Sequence, residues 1–182
     1  KHGDILQKMG VEAPLVPEKF PILKLRQAQE ILGAAKEPDL EPEQERELWE
    51  WAKREHDSDF VFVSHFPIEK RPFYTYEDES DRGYTKYFDL LFRGLEINSG
   101  GQRVHNYEEL VARIKQKGLD PAKFAFYLET FKVGMPPHGG CSTGLERLTA
   151  RLLNLPNVKE ATLFPRDLNR IDTLLSTDSK KE

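Results

Sequence analysis

The spacing of apolar positions changes along the chain and divides it into stretches of different character. Over residues 1–20, Pro14 and Pro17 stand among scattered apolar residues, with Pro21 just beyond. That pattern predicts an irregular lead-in, loosely ordered at its start. Residues 25–32, LRQAQEIL, carry apolar side chains at helical spacing and stop at Gly33, a good C-terminal signal, so they predict a short helix. Residues 41–56 predict a second, amphipathic helix, with acidic residues in the first turn and Leu48, Trp51 and Ala52 at intervals of three to four; Trp51 reads as a packing residue.

At residues 59–66, DFVFVSHF, the period drops to two, which predicts a mostly buried strand. The polar run 76–83 predicts an exposed turn, and residues 84–94 and 95–100 predict further strands meeting at a turn on Arg93-Gly94. Asn106 with Glu109 three residues on predicts a capped helix that Gly118 closes. Asp120 and Pro121 predict the start of another, running to about Lys132. The stretch MPPHGGCST breaks the helical pattern, and the segment from Gly144 predicts a last helix turning Leu145, Leu148, Leu152 and Leu153 to a core. The tail after Asp172 is polar and predicted to fray. Strands joined by turns, helices to one side and no regular βαβ alternation together predict the α+β class with an antiparallel sheet.

Composition narrows the function classes. With 182 residues and 38% hydrophobic content the chain can bury an ordinary core, and a net charge of −4 gives no global pull toward nucleic acid or membrane. A single cysteine, Cys141, excludes an internal disulfide and offers no zinc spacing, which fits a cytoplasmic protein. No apolar run reaches the roughly 18–20 residues of a membrane span.

Three segments are polar where a core would not be. In FDLLFRGLEINSGGQR (88–103), Asp89 and Glu96 lie on neighbouring strands across the predicted turn and could supply two oxygen ligands to Mg²⁺ held with phosphates. Ser99 adds a hydroxyl, Gly100-Gly101 admits close backbone approach, and Arg103 could grip a carboxylate through two hydrogen bonds. Surface strand residues with a glycine bulge are the plainer reading and stand ahead on pattern alone. In KRPFYTY (70–76), Lys70 and Arg71 beside Phe73-Tyr74 could meet an anion, although a turn with a packed aromatic leads. In HGGCSTGLERL (138–148), glycines precede Glu146 and Arg147, and Arg147 could neutralise phosphate charge; a loop running into a helix is again the plainer reading. His138 reads as a hydrogen-bonded structural group, and Cys141 as a buried or neutral thiol without a catalytic partner.

Taken in order, KRPFYTY, FDLLFRGLEINSGGQRVH, MPPHGGCSTGLERL and LPNVKEATLFPRDLNR resemble the class II aminoacyl-tRNA synthetases, in particular the archaeal-type aspartyl enzymes and their asparaginyl relatives. GLER matches the end of the family's motif 3. Cys141-Ser142-Thr143 departs from it, where many members carry a bulkier residue and another glycine. The resemblance implies the C-terminal half of a catalytic domain over residues 21–172, followed by a polar tail at 173–182, with motif 3 present and motifs 1 and 2 absent. It implies that Glu96 contacts ATP and Mg²⁺, with Asp89 and Ser99 as further metal ligands. Ser99 and Arg103 would bind the substrate amino acid, and Gly144, Leu145, Glu146 and Arg147 would line the ATP site. The implied reaction joins aspartate, or asparagine, to tRNA at the expense of ATP without a protein nucleophile, in an enzyme that is a homodimer at full length. A chain beginning at Lys1 is expected to be inactive alone. A non-catalytic paralogue binding adenylate or amino acid, and an asparagine synthetase using ammonia, are the competing expectations.

Overall fold

The structure is a computed structural model that describes residues 2–34 and 37–165. It divides into two compact units, residues 14–144 and a smaller one drawn from residues 1–13 and 145–182.

The larger unit is built on a five-stranded sheet in sequential order. β1 (Ile22–Lys24) lies parallel to β2 (Phe60–Ser64), while β3 (Tyr87–Phe92), β4 (Glu96–Arg103) and β5 (His138–Thr143) continue antiparallel. The parallel pair requires a crossover, which α2 (Leu25–Ile31) and α3 (Pro42–His56) provide. Both helices lie on one face of β2 and β3, where Leu25, Ala28, Leu48 and Ala52 pack against Val61, Val63 and Leu91, with Trp51 against the same cluster. Complete burial of a leucine such as Leu48 is worth about 1.5–3 kcal/mol. On the opposite face Phe60 stacks on Phe92 at 4.4 Å and Phe20 meets Phe60 edge-on.

A second cluster forms beyond β4. There α4 (Tyr107–Gln116) starts on Asn106, whose side chain accepts from Glu109 N at 2.9 Å, and contributes Leu110 and Ile114. The segment predicted as one helix over 120–132 is a 3₁₀ turn, Pro121–Phe124, followed by α5 (Ala125–Lys132). Asp120 caps the turn through Ala122 N. The polar run 76–83 is less exposed than its composition predicts. Asp78 is buried, accepts from both N and Oγ of Ser80 and meets the His65 ring, and these bonds hold its carboxyl at about 2.

MPPHGGCST, expected to interrupt helix only, contains β5. Its glycines and small side chains carry no strand preference of their own, and six residues pair with Asn98–Arg103 of β4. The smaller unit differs from expectation as well. The lead-in holds a short helix, α1 (Gly3–Lys8), and in α6 (Leu145–Leu152) the buried residue is Ala150, whereas Leu145 is 69% exposed. The tail after Asp172 lies outside the described residues. Among the described residues no helix is long and apolar enough to cross a membrane.

Candidate functional site

β3 and β4 are joined by a two-residue turn in which Arg93 and Gly94 both have positive φ, 48° and 69°, the geometry that matches strand twist in tight hairpins. This turn sets Leu91 opposite Glu96, and further along Asp89 opposite Ser99 and Tyr87 opposite Gly101. Glu96 and Ser99 are three residues apart, which in an unbroken strand places them on opposite faces. The register shifts after Leu90, with Ile97 as the extra residue of a β-bulge, so Glu96 returns to the face of Asp89 and Ser99. The row continues onto β5, where Ser142 pairs with Ser99, Gly140 with Gly101 and His138 with Arg103.

One sheet face therefore changes character across its width. Over β2 and β3 it is apolar and covered by α2 and α3; over β4 and β5 it opens into a pocket of about 140 Å³ lined by Tyr74, Thr75, Tyr87, Ser99, Arg103 and Ser142, among others. The glycines make the floor. A Cβ on Gly101 would lie 2.5 Å from the Lys86 carbonyl, and one on Gly140 would lie 3.0 Å from Nη2 of Arg103, so the Arg103 guanidinium runs close over Gly140. The same guanidinium stands 5.3 Å from the Tyr74 ring centroid, and its charge is felt by the Tyr127 hydroxyl, which burial pushes upward. Arg103 has no carboxylate partner among the described residues.

Asp89 lies where the apolar face meets the pocket. It is 6% exposed, and burial pushes its carboxyl up to about 7, with Glu96 adding to the shift and Arg71 opposing it. Its Oδ1 is buried without a hydrogen-bond partner, while Oδ2 is 3.9 Å from Nη2 of Arg71. The Arg71 guanidinium lies between the rings of Phe66 and Tyr87, at 3.9 and 4.7 Å, and donates to Asp39 at 2.8 Å. A buried carboxylate with an unpaired oxygen, a second carboxylate and the Ser99 hydroxyl on one face suit a hard cation that keeps water or phosphate as its remaining ligands. Among the described residues no set of three or more His, Cys, Asp or Glu side chains forms a metal cluster, so these two carboxylates and one hydroxyl are the donors on offer.

The structure thus gathers Asp89, Glu96, Ser99 and Arg103 on one face. Gly144 follows β5 directly, donating its N–H to the Ile97 carbonyl at 2.8 Å; Leu145, Glu146 and Arg147 open α6 in the other unit. Of the pocket residues, Tyr87 lies outside all three polar segments singled out in the sequence, and Ser142 stands in one of them without an assigned role. The signal for Tyr87 was available in strand parity, since it stands two residues before Asp89. Nothing short of the β4–β5 pairing points to Ser142. Cys141, expected to be a buried or neutral thiol, is exposed and lines the pocket. His138 bonds through Nδ1 to the Pro136 carbonyl, as a structural group would.

Residues 4–168 match the family model of tRNA synthetases class II (D, K and N), a span that extends well before the motif-bearing region. The chain is 51% identical over 173 residues to the aspartate–tRNA(Asp/Asn) ligase of Thermus thermophilus, covering 93% of this chain and 40% of that protein. It is 43% identical over 176 residues to the aspartate–tRNA(Asp) ligase of Thermococcus kodakarensis, covering 94% and 40%. Among solved structures, the aspartyl-tRNA synthetase of Entamoeba histolytica superposes with a TM-score of 0.85 at 39% identity, covering 93% of this chain and 36% of that one. The asparaginyl-tRNA synthetase of the same organism, in complex with asparaginyl-adenylate, gives 0.82 at 30% identity, covering 94% and 41%. The chain spans about two fifths of the length of the curated relatives it matches. With its family model matched over most of its length and its α+β sheet shared with solved members, the chain belongs to the class II tRNA synthetases of the D, K and N group.

Proposed function

We propose that the protein joins aspartate to tRNA and that residues 14–144 supply the amino-acid and metal side of the reaction. The observation that carries this reading is Arg103, a guanidinium seated over Gly140 in a pocket, without a carboxylate of its own among the described residues, on the same face as two carboxylates. A substrate side chain ending in a carboxylate satisfies the guanidinium in charge and in fork geometry, whereas an amide satisfies it only through its oxygen. Ser99, beside Arg103 on β4, is the second proposed amino-acid contact.

Asp89, Glu96 and Ser99 would hold Mg²⁺, which when bound neutralises phosphate charge at the nucleotide. In the proposed sequence the aspartate α-carboxylate attacks the α-phosphorus of ATP, pyrophosphate leaves, and the aminoacyl group then passes to a hydroxyl at the tRNA 3′ end with release of AMP. The chain's own part is to orient the amino acid through Arg103 and Ser99 and to present the two carboxylates toward the nucleotide, a catalysis of positioning and charge. The ATP-binding roles of Glu96, Gly144, Leu145, Glu146 and Arg147 rest on the motif resemblance, as does a homodimeric whole protein, while a cytoplasmic location is supported by the single cysteine.

Asparagine is the second reading, favoured by the likeness to asparaginyl-tRNA synthetases. ATP–pyrophosphate exchange by the whole protein separates the two. Exchange with aspartate at a kcat/KM at least tenfold above that with asparagine is expected; exchange with asparagine alone overturns the reading.

A further inference from the structure

We propose that Asp39 is a positioning residue for the candidate metal site, and that it works by holding the Arg71 guanidinium off Asp89. The inference rests on Asp89 as a metal ligand and deepens that reading. Two carboxylates contend here for one cation. Nη2 of Arg71 is 2.8 Å from Oδ2 of Asp39 and 3.9 Å from Oδ2 of Asp89, so Asp39 has the hydrogen bond and Asp89 does not. Asp39 is placed to keep that hold. Its loop joins α2 to α3, and Gln29 of α2, 3% exposed, donates to the Glu37 carbonyl at 2.6 Å, while Leu40 packs against the core cluster. Oδ1 of Asp39 accepts from Leu40 N at 3.0 Å, which leaves Oδ2 for Arg71.

Arg71 has few other places to go. Its guanidinium packs against the Phe66 and Tyr87 rings, 3.9 and 4.7 Å from their centroids, which closes two of its sides. Its Nε is buried without a hydrogen-bond partner, so this largely buried cation is already one bond short. Among the described residues, the carboxylate left to it without Asp39 is Asp89. A shift of about 1 Å turns the present 3.9 Å separation into a charge-assisted hydrogen bond. Such a bond occupies lone pairs of Asp89 and sets a positive charge beside the cation site, and both effects weaken a divalent ion there. Asp39 also carries a charge of its own, which reaches Asp89 through space. A double-mutant cycle with Arg71 separates the two effects.

Mn²⁺ alone, standing for Mg²⁺, is titrated into the whole protein, with the free ion followed by electron paramagnetic resonance. Asp89→Asn should abolish a binding event. Asp39→Ala, a change at an exposed side chain, should weaken the same event about fivefold, the size of a partly exposed ion pair. In an Arg71→Met background Asp39→Ala should leave the affinity unchanged, because the residue it acts through is gone. A crystal structure of Asp39→Ala should show Arg71 hydrogen-bonded to Asp89. Unchanged Mn²⁺ binding in Asp89→Asn removes Asp89 from the metal site and takes this proposal with it. Binding lost in Asp89→Asn but kept at full affinity in Asp39→Ala overturns the proposal alone. So does an equal loss from Asp39→Ala with and without Arg71, or an Arg71 guanidinium still clear of Asp89 in the variant's structure.

Discussion

Gly140 shows how much of the site depends on a side chain that is not there. The Arg103 guanidinium passes over its Cα, with Nη2, Cζ and Nε at 3.0, 3.3 and 3.5 Å from where a methyl group would stand. Arg103 has little room to yield, because Tyr74 lies under it and Tyr127 is close enough to feel its charge. Gly140→Ala is therefore expected to misplace the fork rather than unfold the strand. In ATP–pyrophosphate exchange with aspartate, kcat/KM should fall about 10- to 100-fold, while the urea midpoint stays within the range of a surface substitution. An unchanged kcat/KM would remove Arg103 from the amino-acid site. Asp89 makes the complementary point. Its neighbours Val63 and Leu91 belong to the apolar half of the face, and the same burial that raises its carboxyl leaves one oxygen without a hydrogen-bond partner.

At the scale of elements, the β3–β4 hairpin is the part that aligns the candidate ligands, and its turn is under two constraints. Gly94 has φ of 69°, and a Cβ there would stand 2.9 Å from the Cα of Arg46 on α3. Gly83 has φ of 88° but open space around it. Alanine at either position carries the left-handed backbone penalty of about 1–2 kcal/mol. Gly94→Ala should add about 1–3 kcal/mol more for the collision with helix backbone. Urea unfolding of the two variants checks this, and equal losses would mean that the hairpin tip does not rest on α3. The bulge at Ile97 is the other device of this element, since without it Glu96 would point away from Asp89 and Ser99.

At the scale of the larger unit, Asp59 is the tie. It is 3% exposed, and its carboxylate accepts from Nε1 of Trp49 at 2.9 Å, from Leu15 N at 3.0 Å and from Nε of Arg93 at 3.1 Å. One carboxylate so joins the entering chain, α3 and the hairpin turn. Asp59→Ala leaves a largely buried guanidinium and an indole N–H without this acceptor and should cost about 3–5 kcal/mol in a denaturant melt; a loss below 1 kcal/mol would mean that the three elements hold together by apolar packing alone. The sequence by itself determined the elements whose information is local. Helical spacing over 25–32 and 41–56, the Asn106 cap and the Arg93-Gly94 turn all stand where the pattern put them, because each depends on residues within a few positions of one another. The ligand candidates Asp89, Glu96, Ser99 and Arg103 were likewise legible, by residue type and by resemblance to a family. Their sharing of one face was decided by tertiary structure, through a bulge and strand registers that no single segment encodes. The same holds for β5, whose glycine-rich sequence becomes a strand only because β4 offers it a ladder, and for the Asp59 tie, whose three donors come from sites up to 44 residues away in the chain.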